Sequence, residues 1–144
     1  MSEAAVTRVV HGRLTLRTGG PAFHDLTPAL RAWLGDIGAG SGAVCAFVAH
    51  TTASLCVQEN ADDDVQRDLL TSLARLAPEN APYRHHFEGP DDMPGHIKAM
   101  LSDTSVMLPV EGGAPRLGTW QALYLVEHRT GARERAVHLT YPGD

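Results

Sequence analysis

Three stretches late in the chain constrain the fold most. Ser105–Val110, Leu117–Arg129 and Arg135–Tyr141 read as strands separated only by the turns Glu111–Pro115 and Thr130–Arg133. So short a connection returns the chain antiparallel, because a parallel return needs a crossover of a dozen residues or more. Upstream, Val10, Leu14 and Leu16 alternate with Arg13, Thr15 and Arg17 in a strand over Val6–Thr18, with Gly12 read as a turn or bulge. Phe23, Leu26, Leu30, Trp33, Leu34 and Ile37 then fall at helical spacing, with Thr27 as N-cap before Pro28. Ala43–Val48 is an apolar run that reads as a buried strand continuing through Val57. Val65, Leu69, Leu73 and Leu76 form the stripe of a second helix, capped by Asn60 or Asp62. A short helix follows over His96–Leu101. This order predicts an α+β fold, a mostly antiparallel sheet with helices packed on one side. A length of 144 residues, 43% of them apolar, suits one domain over 1–144 with a single core.

The formal charge is −5, and the twelve Lys and Arg residues are scattered, which argues against nucleic acid as a partner. No apolar run approaches the length of a membrane span, and the expectation is a cytoplasmic protein with no membrane partner. Cys45 and Cys56, in strand-like context, read as packed thiols.

Chemistry is concentrated in the polar and irregular stretches. Residues 78–95 carry four of the nine prolines and two glycines, and so long a loop in a small domain is usually functional. His50 ends an apolar strand, His85 lies in the loop, and His96 opens the short helix. Three imidazoles from three elements can converge on a tetrahedral zinc and leave its fourth position open. Spacing alone favours an exposed loop histidine and a helix-start histidine, since no HExxH or Cys-x-x-Cys fixes the geometry; the placement of all three in polar or irregular segments is what raises the metal reading. Glu59 is a candidate general base or a helix-start carboxylate. Asp91 and Asp92 either orient a ligating imidazole or make an Asp-rich turn. Gly118 allows close approach of a ligand, and Trp120 can stack on a planar ring or pack at an interface. Glu127 and Arg129 read as a surface ion pair on one strand face.

Taken together, His50-Thr51-Thr52-Ala53-Ser54-Leu55, Gln58-Glu59-Asn60-Ala61-Asp62, Tyr83-Arg84-His85, Asp91-Asp92-Met93-Pro94-Gly95-His96-Ile97-Lys98 and Leu117-Gly118-Thr119-Trp120-Gln121 resemble the YjbQ-like family, known as secondary thiamine-phosphate synthases. The match runs in order from about Val6 to the end of the chain. Asp63 and Gly95 depart from the family's usual Pro and Ala. The resemblance implies a homotrimer with a site between subunits. It implies metal ligands His50, His85 (rather than its neighbour His86) and His96, with Glu59, Asp91 and Asp92 as catalytic carboxylates. It implies substrate contacts from Thr51, Thr52, Asn60, Lys98, Gly118, Thr119, Trp120 and Gln121. The cofactor implied is a divalent metal ion, zinc or, with a diphosphate substrate, magnesium. The implied reaction joins a pyrimidine diphosphate to a thiazole phosphate with loss of pyrophosphate. A metal-assisted hydrolase of a small substrate and a non-catalytic trimeric ligand-binding protein are the competing expectations.

Overall fold

The structure is a computed structural model describing residues 1–144. It contains two antiparallel sheets. The larger runs in the order β1 (Arg8–Thr18), β8 (Arg133–Gly143), β3 (Gly42–Val48), β5 (Ser105–Glu111), β6 (Ala114–Pro115). The smaller runs β2 (Ala22–Asp25), β7 (Gln121–Glu127), β4 (Ala53–Glu59). The helices are α1 (Thr27–Asp36), α2 (Asp63–Leu76) and α3 (Asp92–Leu101). None is long and apolar enough to cross a membrane.

Period-2 alternation builds the larger sheet. Val44, Ala46 and Val48 on β3, Leu108 and Val110 on β5, and Val137, Leu139 and Tyr141 on β8 all turn inward and are buried. Val9, Phe47 and Met107 lie on the opposite, solvent face and are exposed. From the smaller sheet, Ala53, Leu55, Leu123 and Leu125 close the core, and α1 adds Leu30 and Leu34. The other face of β7 is also covered. Tyr124 meets Phe23 edge-to-face, and its hydroxyl accepts from Gln66 of α2 at 2.9 Å. That double coverage is why β7 is buried from Ala122 to Glu127 without alternation.

The α+β class and the mostly antiparallel sheet agree with the sequence reading, but the three late strands are not hairpin neighbours: β7 pairs with β2 and β4 in the smaller sheet, whereas β5 and β8 lie in the larger, and several boundaries differ as well. The chain breaks between Val48 and Ala53 instead of continuing as strand, so that β3 and β4 enter different sheets. The long strand expected from Leu117 begins only at Gln121, because Gln121 folds back with its side chain accepting from Gly118 N–H at 2.8 Å. α3 starts four residues earlier than expected, with Pro94 and Gly95 inside its first turns. Proline is tolerated there because the first N–H groups of a helix have no intrahelical acceptor. Gly12 makes neither a turn nor a bulge. β1 pairs with β8 straight through it, and a Cβ at that position would run into the Trp33 indole. Thr27 does not cap α1 with its side chain; its hydroxyl accepts from Leu123 N–H, while Asp25 accepts from Thr27 N–H. Asp62 caps α2 as expected, accepting from Asp64 N–H at 2.9 Å. Both cysteines are free, and burial, with Asp103 nearby, pushes the Cys56 thiol up to about 11.

Candidate functional site

The polar cluster starts at the entry to α3. Asp92 and His96 are four residues apart on this helix and therefore share a face. The Asp92 Oδ2 atom lies 2.6 Å from His85 Nε2 and 3.2 Å from His96 Nε2. One ligand atom from each of these three residues lies within 4.8 Å of the others. Asp92 is buried, whereas His85 and His96 keep 43% and 33% of their side chains open to solvent. A buried carboxylate behind two accessible imidazoles forms an open-faced ligand set.

Arg129, just after β7, fixes this set. Its Nη1 donates to Asp92 Oδ1 at 2.6 Å, its Nε to Asp91 Oδ2 at 3.0 Å, and its Nη2 to the Glu88 carbonyl at 2.9 Å. One guanidinium therefore ties the helix entry to the loop that carries His85. Asp91 also accepts from the backbone N–H and the hydroxyl of Thr130. Burial opposes its ionisation, but these hydrogen bonds and the Arg129 charge outweigh burial and hold Asp91 at about 2. Asp92 moves down in the same way: burial resists, and the bond to His85 and the charge of Arg129 prevail. α3 can approach this closely because position 95 is glycine; a Cβ there would press on Arg129 Cδ and Thr52 Cβ at 3.3 Å.

A second buried cluster lies beside the first and joins the two sheets. Glu127, fully buried at the end of β7, accepts from Arg135 Nε at 3.0 Å, Arg135 Nη2 at 2.6 Å and the Thr18 hydroxyl at 2.6 Å. Arg135 Nη2 also reaches Thr52 Oγ1 at 3.0 Å. His128 Nε2 lies 2.8 Å from Ser54 Oγ, and burial, followed by the Lys98 charge, lowers its pKa to about 4. His128 is thus neutral at pH 7.

His50 stands apart from His85 and His96 in the chain. It lines a groove with Thr51, Thr52, Thr104 and Arg135, and its Nε2 accepts the Ala136 N–H at 2.9 Å. Burial and the Arg135 charge lower its pKa below the ordinary value.

The remaining expected site residues sit elsewhere. β4 begins at Ala53, opposite Glu127, and ends at Glu59, opposite Gln121. Six strand steps of about 3.3 Å separate these ends by roughly 20 Å. Thr51, Thr52, Asp91, Asp92, His96 and Lys98 therefore belong to one end of the small sheet. Glu59, Asn60, Gly118, Thr119, Trp120 and Gln121 belong to the other, where Trp120 is exposed. The Glu59 carboxylate joins no histidine there; its backbone carbonyl accepts from Gln66 Nε2 and the Tyr124 hydroxyl.

The reading of Glu127 and Arg129 as a surface pair is corrected. Both are buried, and each pairs with a different partner, Glu127 with Arg135 and Arg129 with the two aspartates. Arg135 was not expected in the cluster, and Arg129 was not expected to bind the two aspartates. The available signal was the position of Glu127-His128-Arg129 directly after the apolar run Ala122–Val126, where a charged group is buried unless the strand ends first.

Comparison with known proteins identifies the family of this chain. The family model described as "UPF0047 protein YjbQ-like" matches residues 12–144. The UPF0047 protein sll1880 of Synechocystis sp. is 41% identical, covering 100% of this chain and 99% of that protein. The UPF0047 protein YjbQ of Escherichia coli O157:H7 is 38% identical over 91% of this chain and 96% of its own length. Among solved structures, the hypothetical protein APE1520 from Aeropyrum pernix K1 superposes with a TM-score of 0.86 at 31% identity, covering 94% of this chain and 99% of that one. The conserved hypothetical protein TT1486 from Thermus thermophilus gives 0.80 at 39% identity, with 89% and 97% covered. With a match over nearly its whole length and the same fold in solved relatives, the chain belongs to the YjbQ-like UPF0047 family.

Proposed function

We propose that the chain is a metal-dependent enzyme that acts as a homotrimer on small phosphorylated substrates, joining a pyrimidine diphosphate to a thiazole phosphate with release of pyrophosphate. The observation that carries the metal is the convergence of His85, Asp92 and His96 within 4.8 Å. Two imidazoles and one carboxylate leave a coordination position open, as catalytic zinc requires. Magnesium prefers an all-oxygen shell, so the ligand set favours zinc. Arg129 holds the far oxygen of the Asp92 carboxylate and so fixes its orientation. A bound ion would stabilise negative charge on the departing pyrophosphate.

Two features support assembly. Val9, Phe47 and Met107 are large apolar side chains left exposed on the outer face of the large sheet. The expected site residues also divide between opposite ends of the small sheet, so a complete site needs a second copy. In the trimer a neighbour presents Glu59 and the Gly118–Gln121 turn to the His85–Asp92–His96 end, and Glu59 serves there as general base.

Metal content is the direct check. The purified protein is expected to bind one zinc per chain, and His96→Ala is expected to lose it while remaining folded. A parent that stays metal-free after zinc dialysis removes the metal from the proposal. The shared site is tested by complementation. Glu59→Gln and His96→Ala are each expected to be inactive in thiamine phosphate formation, and refolding the two together is expected to restore part of the activity. No recovery in mixed trimers means that Glu59 and His96 do not meet across the subunit contact, whereas full activity in Glu59→Gln alone removes Glu59 from the reaction.

A further inference from the structure

His50 lines its groove with one ring nitrogen, Nδ1, left without a partner in the chain. An N–H group donates to Nε2, so that nitrogen carries no proton, and the neutral ring holds its proton on Nδ1. A metal at Nδ1 requires the proton on Nε2, where it would point directly at the Ala136 N–H. The ring is therefore built to donate a hydrogen bond from Nδ1, and it is poorly suited to ligation.

Beside Phe47, Val48 and Ala49, the polar side chains lining the groove are also donors. Arg135 is 6% exposed, yet it reaches the wall. Its Nε and Nη2 are taken by Glu127 and Thr52, and its Nη1 has no partner within the chain. Thr51 and Thr104 present hydroxyls that make no hydrogen bond in the chain, and no carboxylate lines the groove. Its volume is about 440 Å³, room for more than an inorganic ion.

We infer that this groove is a phosphate-binding subsite, in which His50 Nδ1–H, Arg135 Nη1 and the hydroxyls of Thr51 and Thr104 receive the phosphate group of a phosphate monoester. A planar guanidinium and neutral donors suit a tetrahedral oxyanion. Glu127 already balances the Arg135 charge, so the groove selects by donor geometry more than by net charge. The inference draws on the proposed function only for the idea of a phosphorylated substrate. It assigns to His50 a task separate from metal ligation.

The test is titration of inorganic phosphate into the full chain stripped of metal by chelator, followed by nitrogen-15 NMR. Saturable shifts are expected at the Thr51, Thr104 and Ala136 amides and at His50 Nδ1, with the imidazole pattern of the Nδ1–H tautomer. His50→Phe is expected to weaken phosphate binding roughly tenfold or more, as loss of a hydrogen bond to a charged group does. Thr104→Val is expected to weaken it by a smaller factor. Arg135 is left in place because its removal strands buried Glu127. The inference is overturned by the absence of saturable shifts, by unchanged affinity in His50→Phe, or by a His50 proton on Nε2. A separate zinc titration of the parent keeps the two ideas distinguishable. Failure of zinc to bind leaves the phosphate result standing, whereas direct ligation of zinc by His50 overturns it.

Discussion

Arg129→Leu is expected to destabilise the fold by about 3–5 kcal/mol at neutral pH, the usual effect of removing one partner from a buried ion pair. Two carboxylates depend on this guanidinium. Asp91 and Asp92 are 8% and 1% exposed, so without Arg129 two buried charges lose their countercharge. The effect has a defined pH dependence. In the parent, Asp91 is held at about 2, below its ordinary 3.8. Its stabilising contribution is therefore complete above the ordinary value and is lost as pH falls through about 2. In the variant the lowering by Arg129 is gone, so both carboxylates titrate higher than in the parent and acid relieves part of the cost of burying them as ions. Urea unfolding at pH 7 and pH 3.5 is expected to show a wide gap between parent and variant that narrows in acid. A gap under about 1 kcal/mol, or one independent of pH, would show that Arg129 does not compensate the aspartates.

Glu127→Leu is the second large effect, again about 3–5 kcal/mol, because it leaves Arg135 charged and enclosed. Here the double variant is more informative. Glu127→Leu with Arg135→Met removes both charges and replaces them with apolar groups of similar length. That replacement is commonly neutral, so the double variant is expected to recover most of the loss. A double variant as unstable as the two single losses added together would mean that Thr18, Thr52 and the His128 backbone, which also bond to this pair, need it in place.

The scaffold was legible in the residues because its determinants are local. Val137, Leu139 and Tyr141 alternate cleanly, and the Asp62 cap and the Val65, Leu69 and Leu73 stripe place α2 without reference to anything distant, although Leu76, read into the same stripe, is exposed. What was not legible depended on contacts far apart in sequence. The strand expected to continue from Val48 breaks because its two halves serve different sheets, a division that no local pattern carries. Gly12 looked like an interruption and is instead clearance for Trp33. The histidines could be picked out by their setting, but their grouping could not. His85 and His96 meet through Asp92, whose spacing from His96 was readable, while His50 is set by the amide of Ala136, 86 residues away. Arg129 and Arg135 were hidden for the same reason, since each is held by partners from other elements.

β1 illustrates how far such pairing reaches. Its whole length, Arg8 to Thr18, is matched against Gly143 to Arg133, and β8 is the only strand it pairs with. During synthesis the first strand must therefore wait for the last. At ordinary elongation rates the delay is on the order of ten seconds, during which an alternating strand has no partner of its own. β3 waits as well, since its inner neighbour is the same β8. Completion of the large sheet therefore awaits β8, and until that strand emerges both β1 and one edge of β3 present unpaired backbone.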